Sequence, residues 1–174
     1  TFANKGVHIT PYFITHIEDK NGNVLENFLP EANEAISEET AYLMVSLMKG
    51  VVETGTGIRL RTKYKMNYPI AGKTGTTQNQ SDGWFMGLTP DLVTGVWVGC
   101  EDRSAHFRGI RLGQGANMAL HIWALYMQKV YDDRELNISK GDFERPAKPL
   151  SVEIDCEKFD KEQRKKEFDL EEDF

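Results

Sequence analysis

The chain has 174 residues, of which 40% are hydrophobic and 28% are charged, as in an ordinary globular domain with a sizeable core. Its net charge of −6 comes mostly from residues 151–174, which hold ten acidic and five basic residues and argue against nucleic-acid binding. The sequence contains no run of 18 apolar residues, so we expect no membrane contact from this segment.

The N-terminal segment predicts the end of a helix followed by a two-stranded ribbon. Gly6 suits the left-handed conformation that ends many helices, and no leader sequence follows Thr1, so we expect this chain to be an excised piece. Residues 8–18 are rich in Ile, Thr, Tyr and Phe and favour a strand. Asn21-Gly22 is a hairpin signal, and Val24 to Phe28 form the expected partner strand.

A helix is predicted to begin after Ser37, whose side chain can cap free N–H groups. The run from Thr54 to Gly57 should end it, and the four basic residues between Arg59 and Lys65 indicate a solvated loop or helix end. Helical spacing places five apolar residues on one face, namely Ala41, Met44, Leu47, Met48 and Val51.

Three strands are predicted after Pro69. They cover residues 70–77, 83–88 and 92–100, and a tight turn at Thr89-Pro90-Asp91 joins the last two. The third strand is nearly all apolar, which predicts cover on both of its faces.

The C-terminal third predicts one long helix and a tail. The helix is expected from Ala116 to Tyr131, opened by Gly113-Gln114-Gly115, and its apolar residues on nearly all sides predict burial against a sheet. We therefore divide the chain into a folded portion, residues 1–140, and a charged tail, residues 141–174, which is expected to be disordered.

The residues that suggest chemistry are Gly72-Lys73-Thr74-Gly75, which admit two mechanistic interpretations. Gly72-Lys73-Thr74 matches the end of a nucleotide-binding P-loop, but that motif needs a glycine at the position of Asn67 and a helix after the lysine. Gly75 and the threonines after it favour extended structure instead. A P-loop NTPase is therefore an unfavoured alternative.

The second interpretation is the K-T-G element of serine transpeptidases and β-lactamases. Their substrate is a D-alanyl-D-alanine end, or a β-lactam that mimics it, and both carry a carboxylate beside the reacting carbonyl. A lysine and hydroxyl groups along one strand can bind the carboxylate, and Gly75 leaves room for the ligand. The N–H of Thr76 can then stabilise the oxyanion.

The chain resembles class A penicillin-binding proteins over roughly residues 1–135. The resemblance is carried by GKTGTTQNQSDGWFMG at 72–87, LTPDLVTGVWVG at 88–99, TFANKGVH at the N-terminus, and QGA at 114–116 with the apolar helix after it. It implies an antiparallel sheet with packed helices, an α/β fold of the serine transpeptidase and β-lactamase type that is incomplete in this chain.

The resemblance also implies roles for individual residues. Thr76 would be catalytic, because its N–H forms half of the oxyanion hole. Lys73, Thr74 and Thr76 would contact the substrate or drug carboxylate, Gly75 would give the substrate room, and Thr77 and Gln78 would line the cleft. No metal and no organic cofactor is expected.

Two further motifs of the family are missing from this sequence. The nucleophilic serine and its lysine lie in an S-x-x-K motif, and the opposite wall of the cleft carries S-x-N; both are expected upstream. The string from Ser46 to Lys49 matches S-x-x-K, but Ser46 falls inside the predicted helix, where its N–H is already bonded, so we reject it as the nucleophile.

The remaining polar and aromatic residues favour structural interpretations. The four histidines, His8, His16, His106 and His121, lack metal-ligand spacing, and Cys100 and Cys156 form neither a zinc motif nor a disulfide framework. Trp84, Phe85 and Trp97 are interpreted as core residues.

By this resemblance, the parent protein cross-links peptidoglycan stem peptides through a serine acyl-enzyme and binds β-lactams. It would act on the outer, periplasmic side of the bacterial cytoplasmic membrane, together with the upstream half of the same domain. The isolated chain is expected to be inactive and to have low solubility or to form oligomers. A non-catalytic module that binds D-alanyl peptides is the other alternative.

Overall fold

The structure is a computed structural model that describes residues 1–161. It contains two compact units, Thr1–Phe143 and Glu144–Phe174. The first unit has antiparallel strands and several helices, as the sequence predicted. Its elements are β1 (Val7–Ile9), β2 (His16–Glu18), β3 (Val24–Asn27), β4 (Ala32–Glu34), α1 (Glu38–Glu53), α2 (Arg59–Thr62), β5 (Ala71–Thr76), β6 (Asp82–Leu88), β7 (Val93–Gly99), α3 (Ile110–Gly113) and α4 (Ala119–Asp132).

The first six residues form turns instead of the predicted helix end. Gly6 nevertheless has the expected positive φ of 90°, and its N–H donates to the carbonyl of Thr1 at 2.9 Å. A Cβ on Gly6 would lie 2.1 Å from the Ile36 carbonyl oxygen, so this position requires glycine.

The ribbon is an interrupted antiparallel hairpin in which β1 pairs with β4 and β2 pairs with β3. The predicted single strand over residues 8–18 is wrong for its middle part, where the chain leaves the ladder next to Pro11, which has no N–H to donate. The predicted turn is confirmed: Gly22 has φ 84°, and the Asp19 carboxylate accepts N–H bonds from Asn21 and Asn23 at 2.8 and 2.9 Å. The Asn23 side chain is the main cause that lowers the pKa of Asp19.

Helix α1 begins as predicted, with the Ser37 hydroxyl accepting the N–H of Thr40 at 3.2 Å. Its buried face differs from the predicted one. Ala41, Val45 and Val52 are buried, whereas Leu47 is 69% exposed. The helix packs along β5. The side of the helix that faces β5 is rotated about the helix axis from the side that apolar spacing predicted.

The three-stranded sheet has the order β5-β6-β7 and is antiparallel throughout, as predicted. Its inner face, which includes Gly72, Phe85, Gly87 and Val96, packs against α4. The Trp123 ring meets Phe85 edge-on with centroids 5.1 Å apart, and its Nε1 donates to the Thr94 carbonyl at 3.2 Å. This contact fixes α4 on the sheet.

The outer face of the sheet, which includes Lys73, Trp84, Met86 and Trp97, is mostly uncovered. Helix α1 covers only its end around Ala71 and Leu88, so Trp97 remains 45% exposed. The prediction that β7 is covered on both faces is therefore wrong for this chain. Of the three predicted core aromatics, Phe85 is buried, whereas Trp84 and Trp97 are about half exposed.

Helix α4 is buried on one face only. It packs on the sheet as predicted, while Ile122, Leu125 and Tyr126 on its other side are about half exposed. The helix begins at Ala119 instead of Ala116, because the residues before it form a turn that packs Gly115 onto the sheet.

In the second unit, the structure describes residues 144–161, which lack regular structure until a helical segment at 156–161. The predicted boundary at residue 140 and the predicted disorder of the tail stay predictions, and residues 162–174 lie outside the described part of the chain. Among residues 1–161, none of the helices is both long enough and apolar enough to span a bilayer.

The contact of α4 with the sheet predicts that substitutions at two adjacent positions change the free energy of unfolding by very different amounts. Trp123→Ala should lower the free energy of unfolding by about 3–5 kcal/mol, because it empties the space against Phe85 and Gly87. Ile122→Ala, on the exposed side of the same turn, should cost at most about 1 kcal/mol. Urea unfolding followed by far-UV circular dichroism measures both; equal losses would contradict the packing described.

The uncovered outer face supports the expectation that the isolated chain associates. Trp84 and Trp97 should contribute to contacts between copies, so changing both to Gln should raise the monomer fraction in sedimentation velocity. Leu47→Gln, which removes a single exposed leucine from α1, serves as the control. A monomeric wild-type chain with one sharp melting transition would refute this expectation.

Candidate functional site

The site is built on the side of β5 that carries no strand among the described residues, which we call the open edge. The Thr77 N–H donates to the Asp82 carbonyl at 3.2 Å, so Thr77 points toward β6. Backbone groups alternate along an antiparallel ladder, and the N–H and C=O groups of Thr74 and Thr76 therefore point to the open edge. No strand of the described residues pairs with these backbone groups, so an extended ligand could bond to them.

Lys73 supplies a positive charge to the open edge. Its side chain is exposed, and its Nζ curls back to donate to the Thr74 carbonyl at 2.7 Å. Among the described residues, no carboxylate lies within ion-pair distance of this ammonium group. The charge is therefore available to an anion at the edge.

Two hydroxyl groups accompany the lysine. The Thr74 Oγ1 lies 2.9 Å from the Thr56 Oγ1, and the Thr76 Oγ1 accepts the Gly115 N–H at 3.0 Å. Because Thr76 uses its oxygen as an acceptor here, its hydroxyl hydrogen can still be donated to a ligand. All three residues lie on the strand that forms the open edge, but the Lys73 side chain leaves the outer face of the sheet and the two threonine side chains leave the inner face.

Two glycines allow the loop before α4 to lie directly on the sheet. A Cβ on Gly115 would be 2.2 Å from the Gly75 carbonyl oxygen and 2.6 Å from that of Trp84. A Cβ on Gly75 would be 3.3 Å from the Trp84 Cβ. The loop can reach Thr76 only because residue 115 has no side chain.

Thr77 and Gln78 have different surroundings from the first three site residues. The Thr77 hydroxyl lies 2.9 Å from the Ser81 Oγ and accepts the Asp82 N–H at 3.1 Å, so it holds the connection between β5 and β6. Gln78 is exposed at the beginning of a short 3-10 turn, Gln78–Gln80.

Sequence reasoning missed three residues that support the edge. Thr56 was interpreted only as part of the segment that ends α1, and Gly115 only as part of the segment that opens α4. Arg59 was grouped with solvated bases, yet its guanidinium donates to the Ala116 carbonyl at 3.0 Å and ties α2 to the loop that reaches Thr76. No local signal in the sequence indicates these long-range contacts.

A neighbouring ion pair holds the end of α1. The Arg61 guanidinium lies 2.6 Å from a Glu53 carboxylate oxygen, and this hydrogen bond is the main cause that lowers the pKa of Glu53. Both side chains lie outside the open edge, so they stabilise the scaffold and leave Lys73 unpaired.

The S-x-x-K string in α1 does not form a nucleophilic pair. Ser46 is the ninth residue of the helix, and the Lys49 Nζ lies 2.7 and 2.9 Å from the two carboxylate oxygens of Asp142. The lysine is thus engaged elsewhere, which agrees with our rejection of Ser46.

The P-loop alternative lacks the required local structure. Lys73 lies in the middle of β5, and the strand continues to Thr76 instead of giving way to the N-terminus of a helix. Across residues 1–161, we find no group of three His, Cys, Asp or Glu side chains that could hold a metal ion.

Comparison with known proteins relates this geometry to one family. The family described as "Penicillin binding protein transpeptidase domain" matches residues 1–100. Penicillin-binding protein 1A of Aquifex aeolicus is 37% identical over 153 residues, which are 88% of this chain and 20% of that protein. The chain thus spans about a fifth of the length of this relative.

Solved structures show the same fold. The crystal structure of penicillin-binding protein 1A from Haemophilus influenzae matches 87% of this chain and 26% of its own, with a TM-score of 0.63 and 26% identity. Penicillin-binding protein A from M. tuberculosis, solved as a ceftriaxone acyl-enzyme complex, matches 73% of this chain and 29% of its own, with a TM-score of 0.51 and 20% identity, and is similar in fold alone. The chain belongs to the penicillin-binding protein transpeptidase domain family, with class A proteins among its relatives.

Proposed function

We propose that this chain supplies one wall of the active site of a peptidoglycan D,D-transpeptidase. The observation that carries the proposal is the open edge of β5, where the unpaired charge of Lys73 lies beside the outward backbone groups of Thr74 and Thr76. A peptide that ends in a carboxylate can lie along this edge as an added strand. The cation and hydroxyl groups then select the charged end of the peptide.

Thr76 has two roles in this proposal. Its hydroxyl helps to bind the terminal carboxylate, together with Lys73 and Thr74. Its N–H, directed away from β6, donates to the carbonyl oxygen of the penultimate residue and stabilises the oxyanion that forms there. Gly75 leaves room for the peptide, and Thr77 and Gln78 border the cleft at the end of the strand.

The nucleophile comes from outside this chain. We propose that the upstream half of the same domain provides the serine of S-x-x-K and the opposite wall with S-x-N. The serine oxygen attacks the penultimate carbonyl, and the terminal D-alanine leaves with a proton on its amine. An amine of a second stem peptide then attacks the acyl-enzyme carbonyl, the ester C–O bond breaks, and the serine oxygen regains a proton. The isolated chain is inactive because it lacks this serine.

β-Lactams enter the same reaction as substrate mimics. The serine opens the lactam C–N bond, the nitrogen gains a proton, and the whole drug stays attached because its leaving group is tethered. The names of the relatives, which are penicillin-binding proteins, support this assignment. Because its proposed substrate is peptidoglycan, we expect the parent protein to act in the bacterial cell envelope, on the outer side of the cytoplasmic membrane.

The second candidate is a binding module that holds D-alanyl peptides at the same edge without reacting. The absence of S-x-x-K in a suitable position and of S-x-N in this sequence favours it for the isolated chain. It makes a different prediction from the transpeptidase, because a binding module forms no covalent adduct with penicillin.

Lys73→Ala in the whole protein should slow acylation by penicillin roughly a hundredfold, because the drug carboxylate loses a charge-assisted bond at the reacting centre. Intact mass spectrometry measures the rate at which the adduct appears. Lys49→Ala is the matched control: it removes the same charge from α1, where Lys49 pairs with Asp142 and lies outside the site. Absence of any adduct in the folded wild-type protein would eliminate the catalytic proposal and leave the binding module.

Gly115→Ala should also slow acylation, by at least about tenfold, because the added methyl group would push the carbonyl groups of Gly75 and Trp84 away from the loop. The control is Gly50→Ala, since a Cβ on Gly50 meets nothing within 4 Å. The adduct assay compares the two variants at matched folded fractions. Equal rates would show that the contact of Gly115 with β5 does not position Thr76.

A further inference from the structure

Helix α2 carries two arginines that make different contacts. Arg61 pairs with Glu53 outside the open edge. The Arg59 guanidinium crosses instead to the turn before α4, where its Nη1 donates to the Ala116 carbonyl at 3.0 Å. Among the described residues, no carboxylate lies within ion-pair distance of Arg59, so its charged donor is engaged with the backbone of this turn.

The backbone of α2 holds Arg59 in a fixed place. Leu60, the next residue, is fully buried in the same hydrophobic cluster as Trp123 of α4. Its N–H donates to the Gly57 carbonyl, and its own carbonyl accepts the Met66 N–H, both at 3.0 Å. A guanidinium group is planar and always charged, so a guanidinium anchored in this way can hold its acceptor in one position.

The Ala116 carbonyl needs this donor. Gly115 and Ala116 are both buried. The Leu120 N–H, which in a regular α-helix would reach Ala116, donates to the Gly115 carbonyl at 3.0 Å. Of the described residues, Arg59 is therefore the one that donates to the Ala116 carbonyl, and a buried carbonyl that lost its donor would be unfavourable.

The same turn orients the hydroxyl group of Thr76. The N–H of Gly115, the residue before Ala116, donates to the Thr76 Oγ1 at 3.0 Å. The turn cannot move closer to the strand, because even a Cβ on Gly115 would lie 2.2 Å from the Gly75 carbonyl oxygen. Any shift of Ala116 would therefore also move the Gly115 N–H relative to Thr76.

We infer that Arg59 is a positioning residue for the transpeptidase reaction: through the turn before α4, it keeps the Gly115 N–H on the hydroxyl oxygen of Thr76. This inference rests on the proposed function, in which the Thr76 hydroxyl group binds the terminal carboxylate. Because Gly115 occupies the oxygen of Thr76, the hydroxyl hydrogen is left for the carboxylate. Arg59 does not touch the peptide. Without Arg59 the turn relaxes, and the hydroxyl group loses its fixed orientation.

The test measures acylation of the whole protein by penicillin, as the second-order rate constant at which the adduct appears in intact mass spectra. Arg59→Gln should lower this constant about tenfold, because the hydroxyl group that meets the carboxylate is no longer fixed. Arg61→Gln is the matched control. It removes the same charge from the same helix but leaves the turn before α4 untouched, so its rate per folded molecule should stay at the wild-type value.

A double-mutant cycle separates positioning from a general structural effect. Thr76→Val keeps the backbone N–H and removes the hydroxyl group, so adding Arg59→Gln to it should change the rate less than about twofold. In the Lys73→Ala background, where the hydroxyl group remains, Arg59→Gln should again slow acylation about tenfold. Arg59→Lys, a milder second variant, should give a smaller loss in the wild-type background that likewise disappears with Thr76→Val.

All rates are compared per folded molecule, with the folded fraction taken from far-UV circular dichroism. An equal loss with and without the Thr76 hydroxyl group, or a wild-type rate in both Arg59 variants, overturns the inference while the wild-type protein still forms its adduct. Absence of that adduct in folded wild-type protein instead overturns the proposed function, and this inference with it. A loss that requires the Thr76 hydroxyl group and is missing in Arg61→Gln supports the positioning role of Arg59.

Discussion

The rest of the structure depends on one close contact. The turn from Gly113 to Met118 and helix α4 both lie directly on the inner face of the sheet. Gly87 leaves space for the Trp123 ring, and Gly115 lets the loop before α4 lie on the carbonyl groups of β5 and β6. Packing at this density tolerates no added methyl group without displacement of the strands. The position of β5 is thus determined from its inner face, and its unpaired edge can remain free.

In this arrangement, the groups that hold β5 in place differ from the groups that face its open edge. The hydroxyl of Thr76 is oriented by the Gly115 N–H, and that of Thr74 by Thr56, while their backbone groups stay directed to the edge. Groups that are already oriented need little reorganisation when charge develops on a substrate.

Local signals in the sequence were sufficient for α1, most of α4, the hairpin turn and the three strands of the sheet. The cap at Ser37 and the turn at Asn21-Gly22 each act over a few residues. Some errors concern element bounds, such as the strand that is interrupted next to Pro11. Others concern burial: Leu47 and Trp97 are apolar, and the placement of neighbouring elements leaves them exposed. Thr56, Arg59 and Gly115 could not be identified because their partners lie 18 to 57 residues away in the chain.

The unpaired edge of β5 has a consequence for how the protein avoids aggregation. A strand with free N–H and C=O groups is a template onto which any extended chain can add, and many β proteins protect such strands with an inward or flanking lysine. Lys73 stands on this strand, exposed and unpaired among the described residues, and its Nζ occupies the carbonyl of Thr74. A neutral strand that approached would have to displace this ammonium group, whereas a peptide with a terminal carboxylate would be attracted by it. The same ammonium group can therefore attract a peptide with a terminal carboxylate and hinder the pairing of a neutral strand.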